Sequence, residues 1–145
     1  MKVLAVSISE KKGTKKHPVE YIELIEDYGI DGDAHAGKWH RQVSLLGVES
    51  MEEMKKKLPT LSAGDFAENI LTEGIVLYKL PIGTILKIGE CILEVTQIGK
   101  ECHLGCEIRH LVGDCVMPRE GIFTKVIKGG KIKAEDEIEI VEGTV

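Results

Sequence analysis

Four cysteines and five histidines are the side chains of this 145-residue chain best suited to covalent or metal chemistry, and they are unevenly spread. Cys115 stands in Gly113-Asp114-Cys115-Val116-Met117-Pro118-Arg119-Glu120-Gly121. The segment that follows starts with Pro118, continues with Ile122, Phe123, Val126 and Ile127, and ends at Gly129-Gly130. That order predicts a short helix beginning near Pro118. A thiol just before a helix meets unpaired amide N–H groups and the positive end of the dipole, which favour the thiolate. Arg119 and Lys125 would strengthen that field. A cysteine so placed is a nucleophile, a soft-metal ligand or a persulfide carrier; the plainer alternative is a small apolar residue beside Val116 and Met117.

The other cysteines are weaker candidates. Cys91, beside Ile92 and Leu93, reads as a buried, inert thiol within a strand. Cys102-His103-Leu104-Gly105-Cys106, with His110 and Cys115 downstream, offers soft ligands. Structural zinc, however, usually takes paired C-x₂-C motifs, and this chain has one C-x₃-C.

A second concentration lies in the loop Gly32-Asp33-Ala34-His35-Ala36-Gly37-Lys38-Trp39-His40-Arg41. Its first seven residues fit a phosphate-binding P-loop, but the Ser or Thr that would hold magnesium is replaced by Trp39. A calcium loop starting at Asp31 fails as well, because its twelfth position is Gln42 and its central glycine is Ala36. What remains is a dense group of His, Lys, Trp and Arg that suits an anionic, planar ligand. A solvated turn is the competing reading.

The elements that must position these residues are mostly β. Residues 3–8, 19–25, 42–46, 75–77, 84–88, 91–98 and 137–141 carry strand patterns, with a hairpin turn over 88–91. Val48, Met51, Met54 and Leu58 recur at helical spacing, predicting an amphipathic helix over 48–58 that Pro59 stops. The expectation is one domain spanning residues 1–145, mainly β and barrel-like, with two or three short α-helices.

Composition limits the function. Lys plus Arg number 19 against 24 Asp plus Glu, a net charge of −5, which argues against a nucleic-acid partner. Apolar residues make up 43% and aromatics only 4%, so the core must be aliphatic. The opening apolar run is too short for a signal peptide, and no stretch approaches the ~18 apolar residues of a membrane span. A cytoplasmic protein with reduced thiols, away from membranes, is expected.

Several blocks together resemble the MOSC domain, named for the molybdenum-cofactor sulfurase C-terminus. They are GIDGDAHAGKWHRQVSLL over 29–46, Gly64-Asp65-Phe66-Ala67-Glu68-Asn69-Ile70, Leu80-Pro81-Ile82-Gly83, EVTQIGKEC over 94–102 and GDCVMPREGIFTKVIKGGKI over 113–132. The resemblance implies a β-barrel-like fold and one key cysteine, falling on Cys115. That residue would receive sulfur from a cysteine desulfurase or ligate molybdenum of a bound pterin cofactor. His35, Arg41, Asn69, Lys100, Arg109 and Arg119 are the implied cofactor-binding residues. Pyridoxal phosphate would belong to the partner desulfurase and would not be bound covalently by this chain; other molybdenum-cofactor enzymes are the further partners implied. The alternatives are a molybdenum-dependent reductase of N-hydroxylated compounds and a non-catalytic module in which Cys102, His103 and Cys106 hold zinc.

Overall fold

In a computed structural model the chain is described over residues 1–11, 15–56, 60–99 and 120–141. These residues are mainly β. The strands are β1 (Lys2–Ile8), β2 (His17–Val19), β3 (Tyr21–Ile25), β4 (Gly29–Ile30), β5 (Val43–Gly47) and β6 (Ile70–Glu73). They continue with β7 (Ile85–Ile88), β8 (Cys91–Ile98), β9 (Ile122–Lys128), β10 (Gly130–Lys133) and β11 (Ile138–Val141). The helical elements named among the described residues are α1 (Val48–Lys55) and a 3-10 turn at Leu77–Lys79.

Eight strands form one sheet in the order β11-β7-β8-β9-β5-β6-β1-β2, and β10-β3-β4 form a second. Within the large sheet only β5 and β6 run parallel, because α1 carries the chain across between them. The sheets do not close into the expected barrel. The large sheet instead curls until the start of β1 meets the link between β10 and β11. Lys2 bridges Glu137, Val3 N–H donates to the Asp136 carbonyl at 2.8 Å, and Ile138 N–H donates to the Met1 carbonyl at 3.0 Å. That seam is a single bridge rather than a ladder.

Side-chain alternation explains the packing. Val43 and Leu45 of β5, Ile70 of β6, and Ile122 and Val126 of β9 point into the main core, with Ile22, Leu24, Ile30 and Ile132 of the small sheet. Their neighbours Leu46, Leu71 and Phe123 point the other way, into a second cluster with Met51 and Met54 of α1, Leu61 and Phe66. The central strands are therefore buried on both faces. Apart from Phe66 and Phe123, these cores are almost wholly aliphatic, as the composition requires.

Double burial accounts for the largest misreading. Residues 122–128 were expected to be helix and are strand β9, paired to β5 and β8. A strand covered on both faces shows a continuous apolar run, which short periodicity cannot tell from a buried helix. The β-branched content of Ile122, Thr124, Val126 and Ile127 was the better guide. Gly129-Gly130, read as a helix end, is a corner between sheets: a Cβ on Gly129 would strike the Leu24 carbonyl oxygen.

Two other elements differ. The strand expected at 75–77 lies earlier, at β6, ends at Gly74 with φ +86°, and is followed by the 3-10 turn. The single strand expected over 19–25 splits at Glu20, β2 joining the large sheet and β3 the small one. By contrast, β7 and β8 form the expected hairpin, with Ile88 opposite Cys91 and Gly89 at φ +58°.

Candidate functional site

The loop between β4 and β5 carries the His-, Trp- and Arg-rich sequence, and it is anchored by a buried ion pair. The side chains of Asp33 and Lys16 are both fully buried, with Lys16 Nζ 2.8 Å from Asp33 Oδ1. Asp33 Oδ1 also accepts the Ser9 N–H at 3.1 Å, and Oδ2 accepts the His35 N–H at 3.0 Å. Lys16 Nζ reaches Ser9 Oγ at 3.1 Å and His35 Nδ1 at 3.2 Å. One carboxylate thus ties the end of β1, the approach to β2 and the start of the loop.

Gly64 makes this approach possible. Its carbonyl accepts the Lys16 N–H at 2.8 Å, it holds φ +89°, and a Cβ there would run into the Lys16 carbonyl oxygen. No larger residue fits that contact without displacing one chain segment from the other.

From His35 the contacts continue outward. The Trp39 ring is parallel to His35 within 3°, centroids 6.2 Å apart, and its Nε1–H donates to the His35 carbonyl at 2.7 Å. Trp39 meets His40 edge-on at 5.9 Å. His40 Nε2 and Arg41 Nε both lie on Gln97 Oε1, at 2.8 and 3.0 Å, while the Gln97 amide donates to the Gly99 carbonyl at 2.7 Å. Arg41 lies over the Phe123 ring at 5.3 Å, a cation–π contact. Gly99 N–H in turn donates to the Gly121 carbonyl at 2.7 Å. Both margins of the span 100–119 are therefore held together, two residues beyond Gln97.

The structure brings His35 and Arg41 into this one chain of contacts. Asn69 sits elsewhere, fully buried: its Oδ1 accepts from the Ser44 N–H and hydroxyl, and its Nδ2 donates to the Ser7 carbonyl. That side chain braces β1 and β5 at the start of β6. Cys115, Lys100, Arg109 and Arg119, together with Cys102, His103, Cys106 and His110, lie outside the described residues. β9 occupies the 122–128 part of the expected helix, and the stretch from Cys115 to Arg119 lies outside the described residues. Cys91 is buried and free, and burial together with the Glu90 and Asp136 carboxylates pushes its thiol up to about 11. It is no nucleophile at neutral pH.

Two participants escaped the sequence reading. Lys16 stands among other cations with no motif around it, and Gln97 is a polar position in a strand pattern; no local pattern marks either. Among the described residues no group of three His, Cys, Asp or Glu is arranged to hold a metal ion. A cleft of about 390 Å³ beside α1 is lined by Glu49, Glu53 and Glu120, the wrong charge for an anionic ligand, and among the described residues neither His35, Arg41 nor Asn69 lines it.

A mainly β fold with this loop between β4 and β5 defines a class. Residues 32–139 match the MOSC domain model, and the chain belongs to that family, which is associated with molybdenum-cofactor-related functions. Among solved structures it is similar to the YuaD protein from Bacillus subtilis, with a TM-score of 0.79 and 21% identity over 96% of this chain and 94% of that one. It is also similar to YiiM from Escherichia coli, with a TM-score of 0.68 and 22% identity over 99% of this chain and 71% of that one. YiiM from Geobacillus stearothermophilus gives a TM-score of 0.75 and 17% identity over 97% and 75%. At these identities the likeness concerns the fold. No curated protein matches the chain. Among the described residues no helix is long and apolar enough to cross a membrane.

Proposed function

We propose that this chain holds molybdenum cofactor, or sulfur destined for it, on Cys115. The observation that carries the reading is the family match over 32–139, which spans both Cys115 and the loop from His35 to Arg41. The donor set of that loop fits the group. The described side chains of that loop include His35, Lys38, Trp39, His40 and Arg41, while its buried carboxylate, Asp33, is neutralised by the buried Lys16. Such a surface attracts the phosphate of a pterin cofactor and offers an aromatic plane beside it.

When bound, the cofactor would supply a redox-active metal that a thiolate ligates well. Arg41 and His35 would hold its anionic part. Gln97 would orient Arg41 and His40, and the Arg41–Phe123 contact would limit the travel of the guanidinium. If sulfur alone is carried, the Cys115 thiolate attacks the outer sulfur of a desulfurase persulfide. The S–S bond breaks, the desulfurase leaves as its thiolate, and Cys115 keeps the sulfur as a persulfide.

The test is metal, pterin and persulfide content of wild type beside Cys115→Ser, expressed in a host that makes the cofactor and then incubated with a cysteine desulfurase and cysteine. Molybdenum with pterin, or a persulfide, in wild type and in neither form in the variant supports the reading. Wild type carrying none of these overturns it.

A further inference from the structure

We infer that Lys16 is a positioning residue that fixes His35 as its Nε2–H tautomer, making the ring a hydrogen-bond donor rather than a base. The Lys16 ammonium has three N–H donors and no acceptor. Among the groups within reach of Nζ are Asp33 Oδ1 at 2.8 Å, Ser9 Oγ at 3.1 Å and His35 Nδ1 at 3.2 Å. The Asp33 carboxylate at 2.8 Å opposes the penalty that burial puts on the Nζ charge and favours the ammonium. The nitrogen facing it must then accept, so Nδ1 bears no proton and the neutral ring keeps its proton on Nε2.

The usual pairing of carboxylate and histidine is thereby inverted. In that pairing the carboxylate takes the Nδ1 proton and leaves Nε2 as a basic lone pair. Here Asp33 Oδ2 stands 3.8 Å from Nδ1, too far for a hydrogen bond, and accepts the His35 backbone N–H instead. Lys16 occupies the place the carboxylate would have taken. The parallel Trp39 ring and the bond from its Nε1–H to the His35 carbonyl hold the imidazole plane. The group such a ring recognises is an acceptor, an anionic or carbonyl oxygen. That last step rests on the proposed cofactor-binding role; the tautomer does not.

The experiment is a long-range ¹H–¹⁵N spectrum of histidine-labelled protein at pH 8, recorded on wild type, Lys16→Met and the double variant Lys16→Met with Asp33→Asn. In wild type, His35 Nδ1 should resonate as an unprotonated nitrogen and Nε2 as a protonated one. In the folded variants the Nδ1-protonated form should appear alongside. A protonated Nδ1 in wild type overturns the inference, and so does an unchanged tautomer in the folded double variant. If single and double variants both fail to fold, the wild-type spectrum alone decides. A wild type that shows the Nε2–H form but takes up neither cofactor nor sulfur would remove the proposed function and leave this inference standing.

Discussion

Among the described residues two carboxyl groups are buried, Asp33 and Glu68, and they are accommodated in opposite ways. Asp33 faces an ammonium, and the Lys16 charge cancels its own inside the protein. Glu68 meets no cation among the described residues. Among the described residues its oxygens accept backbone N–H groups, among them Gly64 at 2.7 Å and Phe66 at 3.2 Å. Burial therefore dominates and pushes the Glu68 carboxyl up to about 7, against the pull of those N–H groups. The two are linked, because Gly64 both donates to Glu68 and accepts from Lys16. A dipolar cradle holds a carboxyl in place without making its charge welcome; a buried cation does both.

The contrast breaks most visibly at the ion pair. Asp33→Asn leaves the Lys16 ammonium buried and uncompensated, and urea denaturation should show a loss of about 3–5 kcal/mol. A loss below about 1 kcal/mol would mean that the pair is not buried together. Glu68 predicts an effect that depends on pH. Its carboxyl is about 4.5 when unfolded and about 7 when folded, so the folded state binds its proton more tightly. The associated stability is fully present below about 4.5 and is lost as pH rises through about 7, a fall on the order of 3 kcal/mol. Denaturation midpoints measured from pH 5 to 8 should fall in wild type and lose this component in Glu68→Gln.

A smaller effect tests the link between the two. Gly64→Ala forces a side chain into φ +89° and onto the Lys16 carbonyl oxygen, at a cost of about 1–3 kcal/mol. It should also move the His35 ring signals, though His35 lies far from it in sequence. The smallest comes from a carboxylate in water: Lys56→Ala removes the exposed pair with Glu53 and should change stability by less than about 0.5 kcal/mol.

What the residues disclosed in advance follows the same division between local and distant causes. The β7–β8 hairpin, α1 and β1 were legible because glycine turns and apolar spacing act within a few residues. The body of β9 was not, since its second covered face depends on Phe123 meeting α1 and Phe66. Residues 70–73 were hidden the same way, with Ile70 and Leu71 in different cores. At the site, His35 and Arg41 stood out from the density of their own loop. Their holders did not, because Lys16 lies 19 positions from His35 and Gln97 lies 56 from Arg41. Sequence spacing shows a reactive group more readily than the side chain that aims it.

The seam between β1 and residues 135–138 has a consequence for how the chain is made. Glu137 leaves the ribosome 135 positions after Lys2, which at ordinary translation speeds is roughly 7–27 s later. β2 covers only Val6 to Ile8 on that flank, so the opening residues of β1 wait as an unpaired strand edge throughout synthesis. Lys2 and the register shift between Val3 and Ala5 are the features that discourage such an edge from pairing with another chain. The edge of β1 is thus guarded until residues 135–138 arrive to cover it.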